Sequence, residues 1–161
     1  MARCGMVVAP VHVVRDGLRA ARSPSRDFNR QGGHLSAERI VEASLGRIGR
    51  LMFDRSEAFA DEFAPDGVLV GSEPGEVARG REAVRVLIRG FHALPARYTW
   101  RWDSIDPRVD GPWAWFFAEG VAIKEAPDGA RTERPYRLSG VLGREGDRWR
   151  WKLFHGSEPR A

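Results

Sequence analysis

Apolar residues in this chain recur every three to four positions as far as Pro95, and beyond it they alternate with polar ones. A period near 3.6 marks an amphipathic helix and a period of 2 marks a strand, because those are the intervals at which side chains return to one face. Helices first and an antiparallel run of strands afterwards predict an α+β fold.

The helical half divides into three. Ile40, Val41, Leu45, Ile48 and Met52 share one face behind Ser36, a suitable N-cap, with Glu38 in the first turn. A short second helix is expected after Ser56, where Phe59 and Phe63 lie four apart, with Pro65-Asp66-Gly67 stopping it. Val68 to Val70 read as a short strand and Ser72 to Gly80 as a loop. Val84, Leu87, Ile88 and Phe91 stand at i, i+3, i+4 and i+7, the spacing of a third helix that ends before Pro95. Four strands follow: Tyr98 to Ile105, Trp113 to Glu125, Thr132 to Arg144 and Trp149 to Ser157. Turn sequences at Asp110-Gly111, Pro127-Asp128-Gly129 and Glu145-Gly146-Asp147 separate them.

At 161 residues one domain is expected, and the net charge of +4 makes its distribution worth tracing. Residues 1–34 hold six Arg (3, 15, 19, 22, 26, 30) against Asp16 and Asp27, which leaves 20 basic and 20 acidic side chains in the remainder. A neutral body with interspersed charges offers no phosphate-binding surface, so no nucleic-acid partner is expected. The first 34 residues lack a sustained period, and the apolar run Met6 to Val14 is broken by Pro10 and His12. They read as a disordered basic tail before a domain spanning 35–161. The abrupt change at Leu35 also admits an upstream translation artefact, an idea that detection of intact Met1 on the native protein would remove. No stretch approaches the ~18 apolar residues of a membrane span, so no membrane partner is expected. Cys4 is the one cysteine, which fits a reducing, cytoplasmic setting, and 24 Arg against two Lys fits a GC-rich bacterial genome.

All six tryptophans occur as Trp-x-Trp pairs: Trp100 and Trp102, Trp113 and Trp115, Trp149 and Trp151. In a strand that spacing puts both rings of a pair on one side. They fill a core or wall an apolar cavity. For a cavity, Trp100, Trp102, Trp115, Phe117, Glu119 and Ser139 are the candidate substrate-binding residues. Glu119 continues the parity of Trp115 and Phe117, and His155 that of Trp149, Trp151 and Leu153. A titratable group on an apolar face has its pKa moved by desolvation, which suits acid-base work. Arg137 shares a face with Ser139, and turned inward it would stabilise a carboxylate or enolate. The four His are too scattered for a metal motif, and no Gly-x4-Gly-Lys loop or Gly-x-Ser-x-Gly elbow occurs, so neither metal nor cofactor is expected.

The segment from Phe63 through Pro65-Asp66-Gly67, Gly71-Ser72-Glu73-Pro74-Gly75-Glu76 and Gly80-Arg81-Glu82-Ala83-Val84 to Ile88 resembles the stretch between the second and third helices of SnoaL-like proteins. Tyr136 to Arg144, then Gly146 to Pro159, resembles that family's closing hairpin. The likeness covers roughly residues 36–159 and places the chain in the nuclear transport factor 2-like, or ketosteroid isomerase-like, superfamily. It implies a cone-shaped, antiparallel-rich curved sheet wrapped around three N-terminal helices, a cystatin-like α+β roll. It also implies a cavity at the open end and homodimerisation through the sheet. Ketosteroid isomerases of this fold use an Asp base with a Tyr and a protonated Asp as oxyanion donors. The position resembling the base is Gly71 here, that resembling the acidic donor is Arg137, and the first helix has no Tyr.

Three readings follow. The leading one is a protein binding an apolar small molecule. The second is a cofactor-free isomerase, dehydratase or cyclase, with His155 or Glu76 as base and Arg137 stabilising an oxyanion. The third is an association module resembling the oligomerising domain of calcium/calmodulin-dependent kinase II, with the sheet as its working surface.

Overall fold

The computed structural model describes residues 36–159; the expected tail over 1–34 lies outside the described residues. Helix α1 (Ala37–Phe53) is followed by a 3-10 helix (Glu57–Glu62), strands β1 (Phe63–Val70) and β2 (Val77–Arg79), and helix α2 (Arg81–His92). Strands β3 (Arg97–Asp110), β4 (Trp113–Glu125), β5 (Arg131–Glu145) and β6 (Arg148–Ser157) complete the fold.

Helix α1 starts where expected, since the Arg39 N–H donates to the Ser36 hydroxyl at 3.4 Å, and it buries the anticipated stripe from Ile40 to Met52. The second helix is shorter than its apolar spacing suggests. Phe63 opens β1 instead of closing the helix, and the strand runs on through Pro65-Asp66-Gly67. The cause is register: Phe63 stands opposite Trp151 and Val68 opposite Leu153, so the Pro-Asp-Gly segment bulges between two ladder contacts. Val77–Arg79, expected as loop, pairs with Val68–Val70 as an edge strand, too short to show a period.

The sheet runs β2-β1-β6-β5-β4-β3, open and curved, with β1 against β6 its one parallel pairing. The α+β class stands. Both helices and the 3-10 turn cover one face. There Phe59, Phe63 and Trp151 stack at centroid distances of 5.8 and 6.2 Å, and Phe116 meets Trp151 edge-on at 5.7 Å. Trp151, Phe59 and Phe63 are fully buried, and each such ring contributes about 1.5–3 kcal/mol on leaving water. Glu62, buried at the edge of this stack, meets Arg47 at 2.7 Å and Arg148 at 3.6 Å. These partners offset the cost of taking its charge out of water.

Alternation decides what faces the helices. On β4, Ala114, Phe116 and Ala118 are buried while Trp113, Trp115 and Phe117 are exposed on the outer face. On β5, Tyr136, Leu138 and Gly140 point inward and Arg137 and Ser139 outward. Strand β6 changes phase midway: Trp151 opposes Leu142 and Leu153 opposes Val141, so Lys152 is an extra, bulged residue. Beyond it, Phe154 turns inward and His155 outward.

Candidate functional site

A cavity of about 310 Å³ opens at the end of the inner face away from the Phe59–Phe63–Trp151 stack. Helix residues Met52, Ile88 and Phe91 form one wall, with Leu69 of β1 and Leu94 of the α2–β3 connection beside them. The sheet supplies aromatic rings. Tyr98 meets Phe91 edge-on at 6.0 Å, and Trp100 tilts against Phe154 at 5.6 Å and Tyr136 at 6.1 Å. Arg55 holds the α2–β3 connection: its guanidinium donates to the carbonyls of Leu94, Pro95 and Ala96 at 2.6, 2.8 and 3.3 Å.

The polar groups gather where β1 ends. The Gly71 N–H donates to the Glu76 carbonyl at 2.7 Å, and the Glu73 N–H donates to Glu76 Oε2 at 3.1 Å. This closes a tight loop that folds the Glu76 side chain back over β1. A Cβ on residue 71 would collide with that carboxylate, so glycine is what lets Glu76 lie there. Residue 71 has no side chain, and the carboxylate of the residue five positions on fills the space beside it.

Tyr136 supplies the second titratable group. The residue is only 5% exposed, and its hydroxyl lies over Gly156, where a Cβ would collide with it. Burial pushes the phenol well above its usual range, the Glu76 and Glu158 carboxylates push it further, and the Trp100 indole acts weakly the other way. The phenol therefore keeps its proton at neutral pH and is a hydrogen-bond donor. Glu158 accepts from the Ser72 hydroxyl at 3.4 Å and from Arg134 at 3.5 Å.

The residues singled out in the sequence divide between the two faces. Glu76 and Trp100 line the cavity. Trp102 lies on the inner face behind it, tilted against Tyr136 at 6.3 Å. Trp115, Phe117, Glu119, Arg137, Ser139 and His155 stand on the outer face, a correction to their expected place in the cavity wall. Arg137 Nε donates to Glu119 Oε1 at 3.1 Å, both side chains half-exposed, so this Arg is committed to a surface ion pair. His155 reaches the outer face because the Lys152 bulge interrupts the parity that tied it to Trp151. Glu76, His155 and Arg137 consequently do not converge. Tyr136 and Glu158 went unnoticed, although Tyr136 alternates with Arg137 and the signal was its opposite parity. Among the described residues, no group of three His, Cys, Asp or Glu could hold a metal, and no helix is long and apolar enough to cross a membrane.

Solved structures share this architecture. A protein from Catenulispora acidiphila in complex with S-DNPA is 22% identical, with 74% of this chain and 90% of that one covered at a TM-score of 0.65. ActVI-ORFA from Streptomyces coelicolor is 17% identical, covering 75% and 96% at 0.65. A nuclear transport factor 2-like protein with a cystatin-like fold from Novosphingobium aromaticivorans is 19% identical, covering 76% and 81% at 0.62. At such identities the likeness is one of fold. No curated protein matches the sequence significantly. The family model of the SnoaL-like domain matches residues 47–161, from within α1 through β6, and the chain belongs to that family.

Proposed function

We propose that this SnoaL-like domain binds an apolar small molecule in the aromatic-walled cavity. The observation that carries the reading is the gathering of the Glu76 and Glu158 carboxylates and one protonated phenol, Tyr136, at one end of a cavity whose other walls are mostly aromatic and aliphatic. The fold takes up a small molecule in the Catenulispora acidiphila relative, solved in complex with S-DNPA.

The same pair favours a second reading, cofactor-free proton transfer on a carbonyl compound, as in an isomerase, dehydratase or cyclase. Glu76 would accept the proton and Tyr136 would donate a hydrogen bond to the developing oxyanion, in place of His155 and Arg137. With 2-tetralone as probe, binding should perturb the amide resonances around Trp100, Tyr136 and Phe154. Hydrogen-deuterium exchange at its α-carbon should be accelerated, and Glu76→Gln should cut that acceleration about 100-fold or more. Binding without accelerated exchange leaves the first reading and removes the second. No binding by any neutral bicyclic compound removes both.

The outer face supports self-association, in line with the family resemblance. Trp113, Trp115 and Phe117 are 47%, 45% and 42% exposed in a row on β4, flanked by the Glu119–Arg137 pair. A contiguous aromatic patch of this kind marks an interaction surface. Sedimentation should show a dimer that Trp115→Glu dissociates; a monomeric wild-type chain counts against the interface.

A further inference from the structure

We propose that the ligand is elongated, an apolar body seated in the cavity and joined to a carboxylate that lies in an adjoining groove against Lys124 and Arg134. This rests on the small-molecule reading above and narrows it to a ligand class.

The inner face of the sheet runs on past the cavity. Tyr98 stands opposite Lys124 and Lys124 opposite Thr132, while Trp100 stands opposite Ala122 and Ala122 opposite Arg134. Residues opposite one another share a side of the sheet, as do residues two apart on a strand. Lys124, Thr132 and Arg134 therefore lie on the same side as Trp100 and Tyr136. They line a groove of about 440 Å³, which shares Tyr98, Ala122 and Glu158 with the cavity. Along β5, Thr132 is about 13 Å from Tyr136 at the rise of an extended strand.

Charge differs between the two spaces. Glu73, Glu76 and Glu158 line the cavity, and among the described residues no Lys, Arg or His does. In the groove, Glu133 has the opposite parity to its neighbours and is engaged by Arg101 of β3 at 3.4 Å. That leaves Lys124 and Arg134 facing Glu158, which meets Arg134 only at 3.5 Å. Lys124 forms no ion pair among the described residues, unlike Lys152, which meets Asp66 and Glu145 at 2.8 and 3.2 Å.

An exposed lysine alone would be solvated surface. These two cations instead share the aromatic side of the sheet with the cavity and stand beyond its acidic rim. An anion inside the cavity would be repelled by three carboxylates, whereas one seated about 13 Å further along β5 would meet two cations. Glu158 offsets one of the two, so a singly charged carboxylate fits better than a doubly charged phosphate. The Arg134 guanidinium can hold it through two parallel N–H···O bonds.

Two pairs of ligands test reach and charge together by calorimetry at neutral pH: 8-phenyloctanoate with 8-phenyloctan-1-ol, and 3-phenylpropanoate with 3-phenylpropan-1-ol. The long acid should bind about fivefold more tightly than its alcohol, the gain from two exposed ion pairs, and the short acid more weakly than its alcohol. The double variant Lys124→Gln, Arg134→Gln should bring the long pair within twofold while leaving the Kd of the long alcohol unchanged. Equal binding of the long acid and alcohol by the wild-type chain overturns the carboxylate proposal and leaves the small-molecule reading intact. So does an acid preference that survives the double variant, or one that the short acid shares. If none of the four binds, both readings fall.

Discussion

Glycines make room for other side chains at both ends of the sheet's inner face, with opposite results. At the closed end, a Cβ on Gly140 would collide with the Phe116 ring and crowd Trp151, so its absence lets two rings interlock. At the open end, the space beside Gly71 and Gly156 is taken by the Glu76 carboxylate and the Tyr136 hydroxyl. One end is thereby filled with carbon and the other lined with titratable oxygen. The device is the same, and what occupies the vacated volume decides whether a region serves stability or chemistry.

That contrast can be broken from its strongest point downwards. Trp151→Ala empties the closed end, where the ring contacts Phe63, Phe116 and Phe154, and should cost about 3–5 kcal/mol in urea unfolding. A smaller loss would mean that the closed end can collapse and is less rigid than its packing implies. Gly140→Ala overfills the same region and should cost about 1–3 kcal/mol, because two rings held on all sides have nowhere to move. Gly71→Ala should cost about 1 kcal/mol by the same measurement, less than Gly140→Ala, since the Glu76 carboxylate can swing into the cavity and the short exposed loop that carries its Cβ can shift. It should nonetheless weaken ligand binding by displacing the carboxylate. If Gly71→Ala destabilises as much as Gly140→Ala, the two ends do not differ as described.

Much of the fold was legible because it depends on local rules. Ser36 caps α1 as its side-chain chemistry predicts, and β4 occupies Trp113–Glu125, the span its alternation marks out. The short edge strand β2 and the run of β1 through Pro65-Asp66-Gly67 were not legible, since each exists only through pairing with a neighbour. Of the residues that the sequence singles out, Glu76 and Trp100 line the cavity, and Tyr136, which also lines it, has the strand parity opposite to that of Arg137.

Periodicity and composition are enough for the α+β class, the helix starts, the neutral body behind a basic N-terminal stretch, and which residues of a strand share a side. Which side that is depends on packing between the sheet and the helices. A period of two carries no sign: it groups Trp115 with Phe117 and Tyr136 with Leu138 without saying which group meets the helices. One bulged residue, Lys152, was enough to separate His155 from Trp151 and put Phe154 in the cavity wall. The carboxylate beside Gly71 arrives the same way, by a turn of the chain that brings Glu76 back over a residue with no side chain to stop it.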